Sequence, residues 1–305
     1  FSSRRRHTRF SGVTGVQTCA LPILAAAALL SLFWAPYPPA EIEAADLTGL
    51  ALDLALWGAE GAGELAFLTQ PNPGAYAEAR TIKADRLVKM PDVITFEQGA
   101  AMMLQGMTAA FLIKKCYAAK AGQTVLIHAA AGGVGLILSQ WAKHLGCTVI
   151  GVVSTPEKAA LVKDHGVDHA LLTSDDIPAR VKDITKGAML PVVYDSVGKD
   201  SFLTSLDCLA PYGLMISYGN ASGPVAIPDL GILAAKGSLY VTRPTLATYT
   251  AQREDLVARA NDLFEVVASG AVKIRVNQTH ALKDAAAAHI ALEARKTTGS
   301  TVLIP

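Results

Sequence analysis

The sequence predicts an α/β protein whose parallel sheet is doubly wound, with helices on both faces. Between residues 124 and 244, short and almost continuous apolar runs alternate with longer stretches whose apolar residues recur at helical spacing. Continuous apolar runs are typical of strands buried on both faces, and their alternation with helices indicates a parallel sheet. A glycine-rich turn that joins the first run to the first helix supports the same fold.

The composition is that of a globular protein with a small-molecule partner. Of the 305 residues, 51% are hydrophobic and 17% are charged, and the mean hydropathy is +0.33. This is enough apolar surface for one large core or two linked ones. The 27 basic and 26 acidic residues give a net charge of +1, so the charge balance does not point to nucleic acid, an anionic membrane or a polyanionic substrate.

The four cysteines, Cys19, Cys116, Cys147 and Cys208, lie far apart, with no CxxC pair and no histidine at ligand spacing. Zinc knuckles and disulfide frameworks need regular, closer spacings, so the sequence predicts neither. We interpret the thiols as small hydrophobic side chains. Because free thiols are typical of a reducing compartment, a cytoplasmic location is expected.

Residues 1–66 do not follow the pattern of the rest of the chain. Residues 1–10 are basic and polar, and an apolar run over Leu21–Trp34 follows, which imitates a secretory signal. The run is shorter than the roughly 20 residues of a membrane-spanning helix, and no clear A-x-A cleavage site precedes Pro36. Residues 1–24 instead resemble translated sequencing-adapter DNA. We therefore interpret residues 1–66 as a non-native or misframed segment.

The next segment, residues 67–107, is predicted to hold β fragments followed by a helix. From Gly74 to Asp92 apolar and polar residues alternate, as in short strands at the edge of a barrel. Thr95 then opens a helical stretch in which Gly106 is a candidate break between two helices. The wound sheet is expected to begin after this segment.

The turn Ala130–Gly135 has the form A-x-G-x-x-G and lies between a predicted strand, Thr124–Ala130, and a predicted helix that ends at Gly146. Small residues let the backbone approach a pyrophosphate, and the helix N-terminus supplies free N–H groups. A turn that merely packs the helix on the strand is the alternative, but this context favours a dinucleotide site. The residues expected at the cofactor are Gly132, Gly133, Val134 and Gly135.

The end of the second predicted strand, Cys147–Val153, favours NADPH over NADH. NAD-binding units carry Asp or Glu about 20 residues beyond the glycines, where it binds the ribose hydroxyls. Here Ser154 and Thr155 follow the strand, and Lys158 lies one turn further on. A hydroxyl and a cation suit a 2′-phosphate, which a carboxylate would repel. The alternative for Lys158 is an ordinary solvated lysine.

Four more strands are predicted, within residues 168–172, 191–198, 213–220 and 238–244. Ligands of such sheets bind outside the carboxyl ends of the strands. The strand-end residues expected near a nicotinamide ribose are Ser196, Val197, Gly198, Ser217, Asn220 and Arg243.

Six blocks of the sequence together carry a family resemblance: AAAGGVGLILSQWAKHLG, VVYDSVGKDSFLTSLDCLA, ISYGNASGP, GSLYVTRPTLATYT, LFEVVASGAVKI and LEARKTTGSTVLIP. These blocks resemble the zinc-independent quinone oxidoreductases, the zeta-crystallin branch of the medium-chain dehydrogenase/reductases. The resemblance covers about residues 67–305.

The resemblance implies a Rossmann domain over residues 108–244, inserted into a GroES-like β-barrel domain. Residues 67–107 and 245–305 would be parts of that barrel domain, which would be incomplete at its N-terminal side. The family's N-x-x-D-x-Y-type segment, which borders the nicotinamide and the quinone, is not found upstream.

The resemblance also assigns family roles to individual residues. The family often has Tyr or His after the third strand, where this chain has Thr173, so a weaker contact on the adenine side is expected. The family's cofactor positions fall on Gly132–Gly135, Ser154, Lys158, Gly198, Asn220 and Arg295.

For activity, the resemblance implies metal-free electron or hydride transfer from NADPH to a quinone by a homodimer, with no membrane or nucleic-acid partner. The lack of a four-cysteine loop around residues 80–100 supports a zinc-free protein. No catalytic residue is predicted, and His128 is expected to be packed or hydrogen-bonded rather than catalytic. An enone or enal reductase of the same superfamily and a non-catalytic NADPH-binding protein remain alternatives.

Overall fold

The computed structural model describes residues 76–77, 84–227 and 229–305, so the interpretation of residues 1–66 lies outside the described residues. The described strands are β1 Thr124–His128, β2 Thr148–Val153, β3 His169–Leu172, β4 Leu190–Asp195, β5 Leu209–Ser217, β6 Tyr240–Thr242, β7 Val276–Ala281 and β8 Ser300–Ile304.

The described α-helices are α1 Phe96–Phe111, α2 Gly133–His144, α3 Pro156–Lys163, α4 Ile177–Ile184, α5 Phe202–Asp207, α6 Gly231–Ala235, α7 Leu246–Tyr249, α8 Arg253–Ala268 and α9 Ala285–Glu293. Short 3₁₀ helices cover Ala84–Arg86 and Leu282–Asp284, and a π-helical turn over Leu112–Cys116 continues α1.

The predicted doubly wound sheet is confirmed. Its strand order is β3-β2-β1-β4-β5-β6, and every neighbouring pair is parallel. In β1, Val125 and Ile127 pack into one apolar cluster, while Leu126 packs into a second cluster on the opposite face. Because successive side chains of a strand point to opposite faces, a strand covered by helices on both sides must be apolar throughout.

The strand order creates a crevice at the carboxyl ends of β1 and β4. From β1 the chain winds outward to β2 and β3, then crosses back to place β4 on the other side of β1. The connections that follow β1 and β4 therefore leave in opposite directions. Ligands of open α/β sheets bind at such a reversal point.

Gly106 does not break the helix, contrary to the sequence-based expectation. Helix α1 runs without interruption from Phe96 to Phe111, and a capping box formed by Thr95 and Gln98 fixes its start. A Cβ atom on Gly106 would lie 2.5 Å from the Leu263 side chain. The glycine therefore allows α8 to pack closely on α1, and this tertiary contact outweighs its low helix propensity.

The strands expected before α1 are also wrong where the structure describes this segment. Residues 84–95 form a 3₁₀ turn and irregular backbone. Leu87, Val88 and Met90 pack against the main core although no strand pairs with them among the described residues. Alternating burial alone does not make a strand, because a strand also needs a hydrogen-bonded neighbour.

The C-terminal segment returns to the glycine turn. After α8, β7 and β8 pair in parallel as a separate two-stranded sheet. The Ser300 hydroxyl donates to the Ala101 carbonyl of α1 at 2.6 Å, and the Gly299 N–H donates to the Ala131 carbonyl at 2.9 Å. The start of β8 therefore lies against both α1 and the turn after β1.

Candidate functional site

The glycine turn after β1 is shaped by one residue that sequence reasoning missed. Ala129 adopts a left-handed conformation, with φ of +50°, and reverses the chain immediately after β1. A Cβ atom on Gly135 would lie 2.5 Å from the Ala129 carbonyl oxygen and 2.7 Å from Ala130. Because this close approach is to backbone, Gly135 is needed for α2 to pack against the end of β1.

Gly133 faces a different environment at the start of α2, where Gly132 is the N-cap residue. A Cβ atom on Gly133 would lie 2.9 Å from the Gln105 side chain and 3.3 Å from the Gly299 carbonyl oxygen. The first turn of α2, which includes Val134, points N–H groups without intrahelical partners out of the helix. These groups and the helix dipole make the turn an anion-binding cradle that fits a pyrophosphate.

Three of the predicted cofactor-binding residues are brought together at the end of β2. The Lys158 Nζ atom lies 3.4 Å from Ser154 Oγ and donates to the main-chain carbonyl oxygen of Arg295 at 3.1 Å. Ser154 and Arg295 are exposed. A cation and a hydroxyl at this position match the charge and donors that a 2′-phosphate needs.

Thr155 has a separate local role in this cluster. Its hydroxyl accepts the backbone N–H of Lys158 at 3.3 Å and is the N-cap of α3. The capping bond fixes the first turn of α3, which carries Lys158. Of the two hydroxyls after β2, Ser154 is therefore the one directed to the lysine head group.

The loops after β4 and β5 are joined by backbone hydrogen bonds. Ala221 N–H donates to the Ser196 carbonyl at 3.2 Å, and Ser222 N–H donates to the Val197 carbonyl at 2.8 Å. Gly198 has φ of +95°, and a Cβ atom there would lie 2.5 Å from the Gly223 carbonyl oxygen. Residues 196–198 and 220–223 thus form one continuous rim after β4 and β5.

Polar groups without partners support a ligand at this rim and turn. Within the described residues, Ser217 Oγ at the end of β5 and Gln105 Oε1 beside Gly133 are buried and accept or donate no hydrogen bond. Buried polar atoms without partners are rare in proteins, and a bound ligand would supply partners for these two. Together with the cradle at Gly133, they make the residues present compatible with a bound dinucleotide.

The remaining predicted positions lie at the same edge of the sheet but farther apart. Thr173 follows β3, is exposed, and its N–H donates to the Val153 carbonyl at 2.9 Å. Asn220 is exposed on the rim, and Arg243 follows β6, where its Nη1 donates to the Pro244 carbonyl at 3.1 Å. No side-chain contact with the lysine cluster is described for them, and their part in cofactor binding stays a prediction.

A buried polar network that sequence reasoning did not identify lies beneath the rim. Asp195, the last residue of β4, is fully buried, and Ser205 Oγ donates to its Oδ2 at 2.6 Å. Ser205 Oγ also lies 3.1 Å from Nε2 of His128, the last residue of β1. The packed and hydrogen-bonded state expected for His128 is therefore observed, and burial lowers the pKa of its imidazole although the Asp195 charge acts in the opposite direction.

The described residues show neither a metal cluster nor a membrane span. No three of their His, Cys, Asp and Glu side chains are close enough together to hold a metal ion. Cys116, Cys147 and Cys208 are free thiols, and Cys19 lies outside the described residues. None of the described helices has both the length and the apolar character needed to cross a membrane.

Comparisons with known proteins agree with this geometry. A family profile described as zinc-binding dehydrogenase matches residues 133–261, from the start of α2 into α8. A quinone oxidoreductase of Pseudomonas aeruginosa is 50% identical over 265 residues, a match that covers 81% of this chain and 81% of that protein. A 2-haloacrylate reductase of a Burkholderia species is 42% identical over 250 residues, covering 80% of this chain and 74% of that protein.

A solved structure shares both the fold and much of the sequence. The crystal structure of Escherichia coli quinone oxidoreductase complexed with NADPH matches with a TM-score of 0.74 and 48% identity, over 76% of this chain and 72% of that one. The shared region is large enough to include most of the described residues.

Proposed function

This chain belongs to the quinone oxidoreductase family of the medium-chain dehydrogenase/reductases, and from that premise we propose that it reduces a quinone with NADPH. The reaction type is supported by the 50% identity with the quinone oxidoreductase of Pseudomonas aeruginosa, which covers 81% of each chain. The cofactor choice has its own support in the structure, because Lys158 and Ser154 lie where an NAD-binding unit would place a carboxylate.

The cofactor supplies the hydride when it is bound, and the protein supplies its orientation. We assign the pyrophosphate to the turn at Gly132–Gly135, the 2′-phosphate to Ser154 and Lys158, and the nicotinamide ribose to the rim at Gly198 and Ser217. Arg295 adds a second cation beside the 2′-phosphate. Anion sites for the 5′-pyrophosphate and for the 2′-phosphate of the same adenosine ribose hold the cofactor in one register, so that its reactive face is directed to the acceptor.

The domain division inferred from the sequence is also part of the proposal. Residues 67–107 and 245–305 would form the catalytic domain and residues 108–244 the inserted cofactor domain. The Ser300 to Ala101 hydrogen bond supports it, because it joins a residue after the wound sheet to a residue before it. The acceptor would bind between the two domains, against the nicotinamide, and the described residues identify no general acid there.

Acceptor assays test the proposed reaction. The chain is incubated with NADPH and either a benzoquinone or a conjugated enone, and loss of the cofactor absorbance is followed with protein-free and acceptor-free controls. Faster oxidation with the quinone is expected. NADPH binding without oxidation by either acceptor, both in this chain and in a version whose residues 1–66 are replaced by the in-frame coding sequence, would favour a non-catalytic NADPH-binding protein instead.

Reduction of an activated double bond is the second candidate. The 42% identical relative that reduces 2-haloacrylate favours it, because the same fold there acts on a carbon–carbon double bond. The assay above separates the two readings: turnover with the enone and none with the quinone would replace the quinone reductase assignment.

A homodimer in the cytoplasm is the assembly that we propose. Among the described strands β6 pairs only with β5, and Tyr240 on β6 is 61% exposed. An unpaired edge with an exposed aromatic residue suits pairing with a second copy of the chain. Sedimentation equilibrium should give twice the mass of the chain, and Tyr240→Lys should shift that mass towards the monomer.

No nucleic-acid partner is proposed, since the net charge is only +1.

A further inference from the structure

The Asp195 carboxylate collects hydrogen bonds from the loop that follows it. Its Oδ1 accepts the backbone N–H groups of Val197 at 2.8 Å and Gly198 at 3.1 Å, and the Ser201 hydroxyl at 2.9 Å. Its Oδ2 accepts the Ser205 hydroxyl at 2.6 Å. Asp195 is fully buried, so its charge is balanced by these four donors rather than by water.

The same carboxylate connects the ends of two neighbouring strands. The Ser205 hydroxyl has one proton, which it donates to Asp195, so it accepts its second hydrogen bond from Nε2–H of His128 at 3.1 Å. His128 ends β1 and directly precedes the glycine turn. Asp195 therefore links the turn after β1 to the loop after β4.

The loop after β5 is held by the same arrangement. The Tyr218 N–H donates to the Asp195 carbonyl at 2.8 Å, and the Lys199 N–H donates to the Gly223 carbonyl at 3.1 Å. Val197 and Gly198, whose N–H groups the carboxylate accepts, lie within the stretch that forms this main-chain ladder. The carboxylate therefore contacts the loop after β4 directly, the end of β1 through Ser205 and His128, and the loop after β5 through the main chain.

A charged acceptor suits this position, because both oxygens of Asp195 face donors. An asparagine could keep its Oδ1 towards the loop only by turning its N–H group to the Ser205 hydroxyl, which would then have to donate to His128 in its other tautomer. The hydrogen bonds to the loop would remain but would lose the strength that the carboxylate charge gives them. Because Asp195 has no exposed surface, it acts on a ligand only through the loop.

We propose that Asp195 is a positioning residue for NADPH, whose carboxylate holds the loop at Val197 and Gly198 in the shape that receives the nicotinamide ribose. Ser205 and His128 keep the carboxylate oriented. This inference rests on the proposed function, because it assigns the ribose to this loop.

The test compares Asp195→Asn and Ser205→Ala with the control Asp168→Asn, the same substitution at an exposed aspartate. Asp168 also accepts a backbone N–H, from Val149 at 2.9 Å, and pairs with Lys143 at 2.6 Å, but it lies just before β3 at the opposite edge of the sheet. For each full-length variant, thermal unfolding, the NADPH dissociation constant by fluorescence, and hydrogen exchange of residues 196–201 are measured.

We expect Asp195→Asn to weaken NADPH binding at least tenfold and to speed exchange in residues 196–201, at temperatures where the variant is folded. Ser205→Ala should give a smaller change in the same direction and serves as the test if Asp195→Asn does not fold. Asp168→Asn should lower the melting temperature while NADPH binding stays within twofold.

Two other results would count separately against the positioning role of Asp195 and against the proposed function. Folded Asp195→Asn and Ser205→Ala proteins that bind NADPH as tightly as the unaltered chain would overturn the positioning role and leave the proposed function intact. Failure of the unaltered chain to bind NADPH would overturn the proposed function, and the positioning role with it.

Discussion

The Nζ atom of Lys158 lies 3.1 Å from the main-chain carbonyl oxygen of Arg295, a residue 137 positions away in the chain. Arg295 has φ of +57°, just beyond the end of α9. This contact brings the backbone of Arg295, just after α9, to the lysine that follows β2. A cation at this position suits the negatively charged 2′-phosphate that we assign to it.

Replacing Lys158 should separate the two nicotinamide cofactors. We expect Lys158→Ala to weaken NADPH binding by roughly 1 to 3 kcal/mol, as for a lost charge-assisted hydrogen bond, and to leave NADH binding nearly unchanged. Titration of each cofactor by fluorescence measures both values. Lys163→Ala, at the exposed end of the same helix, is the control for a general loss of positive charge. Equal losses for NADPH and NADH would remove the 2′-phosphate assignment.

The two glycines of the turn should respond differently to an added side chain. Gly133→Val should abolish NADPH binding, because its side chain would stand where the pyrophosphate approaches the turn. The variant should still fold, because the nearest neighbour of the new Cβ atom is the Gln105 side chain, which can move. Gly135→Val should also destabilise the fold by on the order of 1 to 3 kcal/mol, because there the clash is with the backbone of Ala129 and Ala130. Calorimetry and NADPH titration measure the two effects, and retained NADPH affinity in folded Gly133→Val would contradict the turn assignment.

The buried histidine should make the fold sensitive to acid. Burial lowers the pKa of His128 below its ordinary value of 6.5, so the unfolded chain binds a proton more readily than the folded one. The contribution of neutral His128 to the free energy of unfolding is therefore fully present above about pH 6.5. It is lost progressively as the pH falls toward the lowered folded-state pKa. His128→Gln keeps a donor for Ser205 but cannot titrate.

The measurement for this prediction is the melting temperature at about pH 7.5 and about pH 5. The unaltered protein should lose more stability between these values than His128→Gln. Burial also lowers the pKa of His289, but that group is present in both proteins and its effect cancels in the comparison. Parallel pH profiles would show that His128 does not carry the effect.

Cofactor binding and turnover should depend differently on residues 1–66. We expect the chain as it stands to bind NADPH, because the assigned cofactor residues lie between 132 and 295, and to turn over a quinone poorly. In a second protein, residues 1–66 are replaced by the genomic sequence that precedes codon 67 in the reading frame of residues 67–305. This protein should bind NADPH with similar affinity and reduce the quinone faster. Equal quinone turnover by the two proteins would show that residues 1–66 are a working part of the enzyme.

Much of the fold could be predicted because its signals are local in the chain. The apolar runs of β1, β2 and β4 are continuous, and the A-x-G-x-x-G turn lies directly between a strand and a helix. Backbone conformation and hydrophobic periodicity act over a few residues, so such features can be read in order along the sequence. The local reading is wrong at Gly106, where packing of Leu263 from a distant helix decides the outcome.

The sequence by itself determined the α/β class, the glycine turn between β1 and α2, the family and the preference for NADPH. Only the tertiary structure decided which side chains cooperate: Lys158 with the carbonyl of Arg295, and Asp195 with Ser205 and His128, which is 77 positions from Ser205. The reason is physical. Hydrogen bonds between side chains require distances near 3 Å, and residues far apart in the chain reach them only after crossing strands and helices have been packed into one sheet.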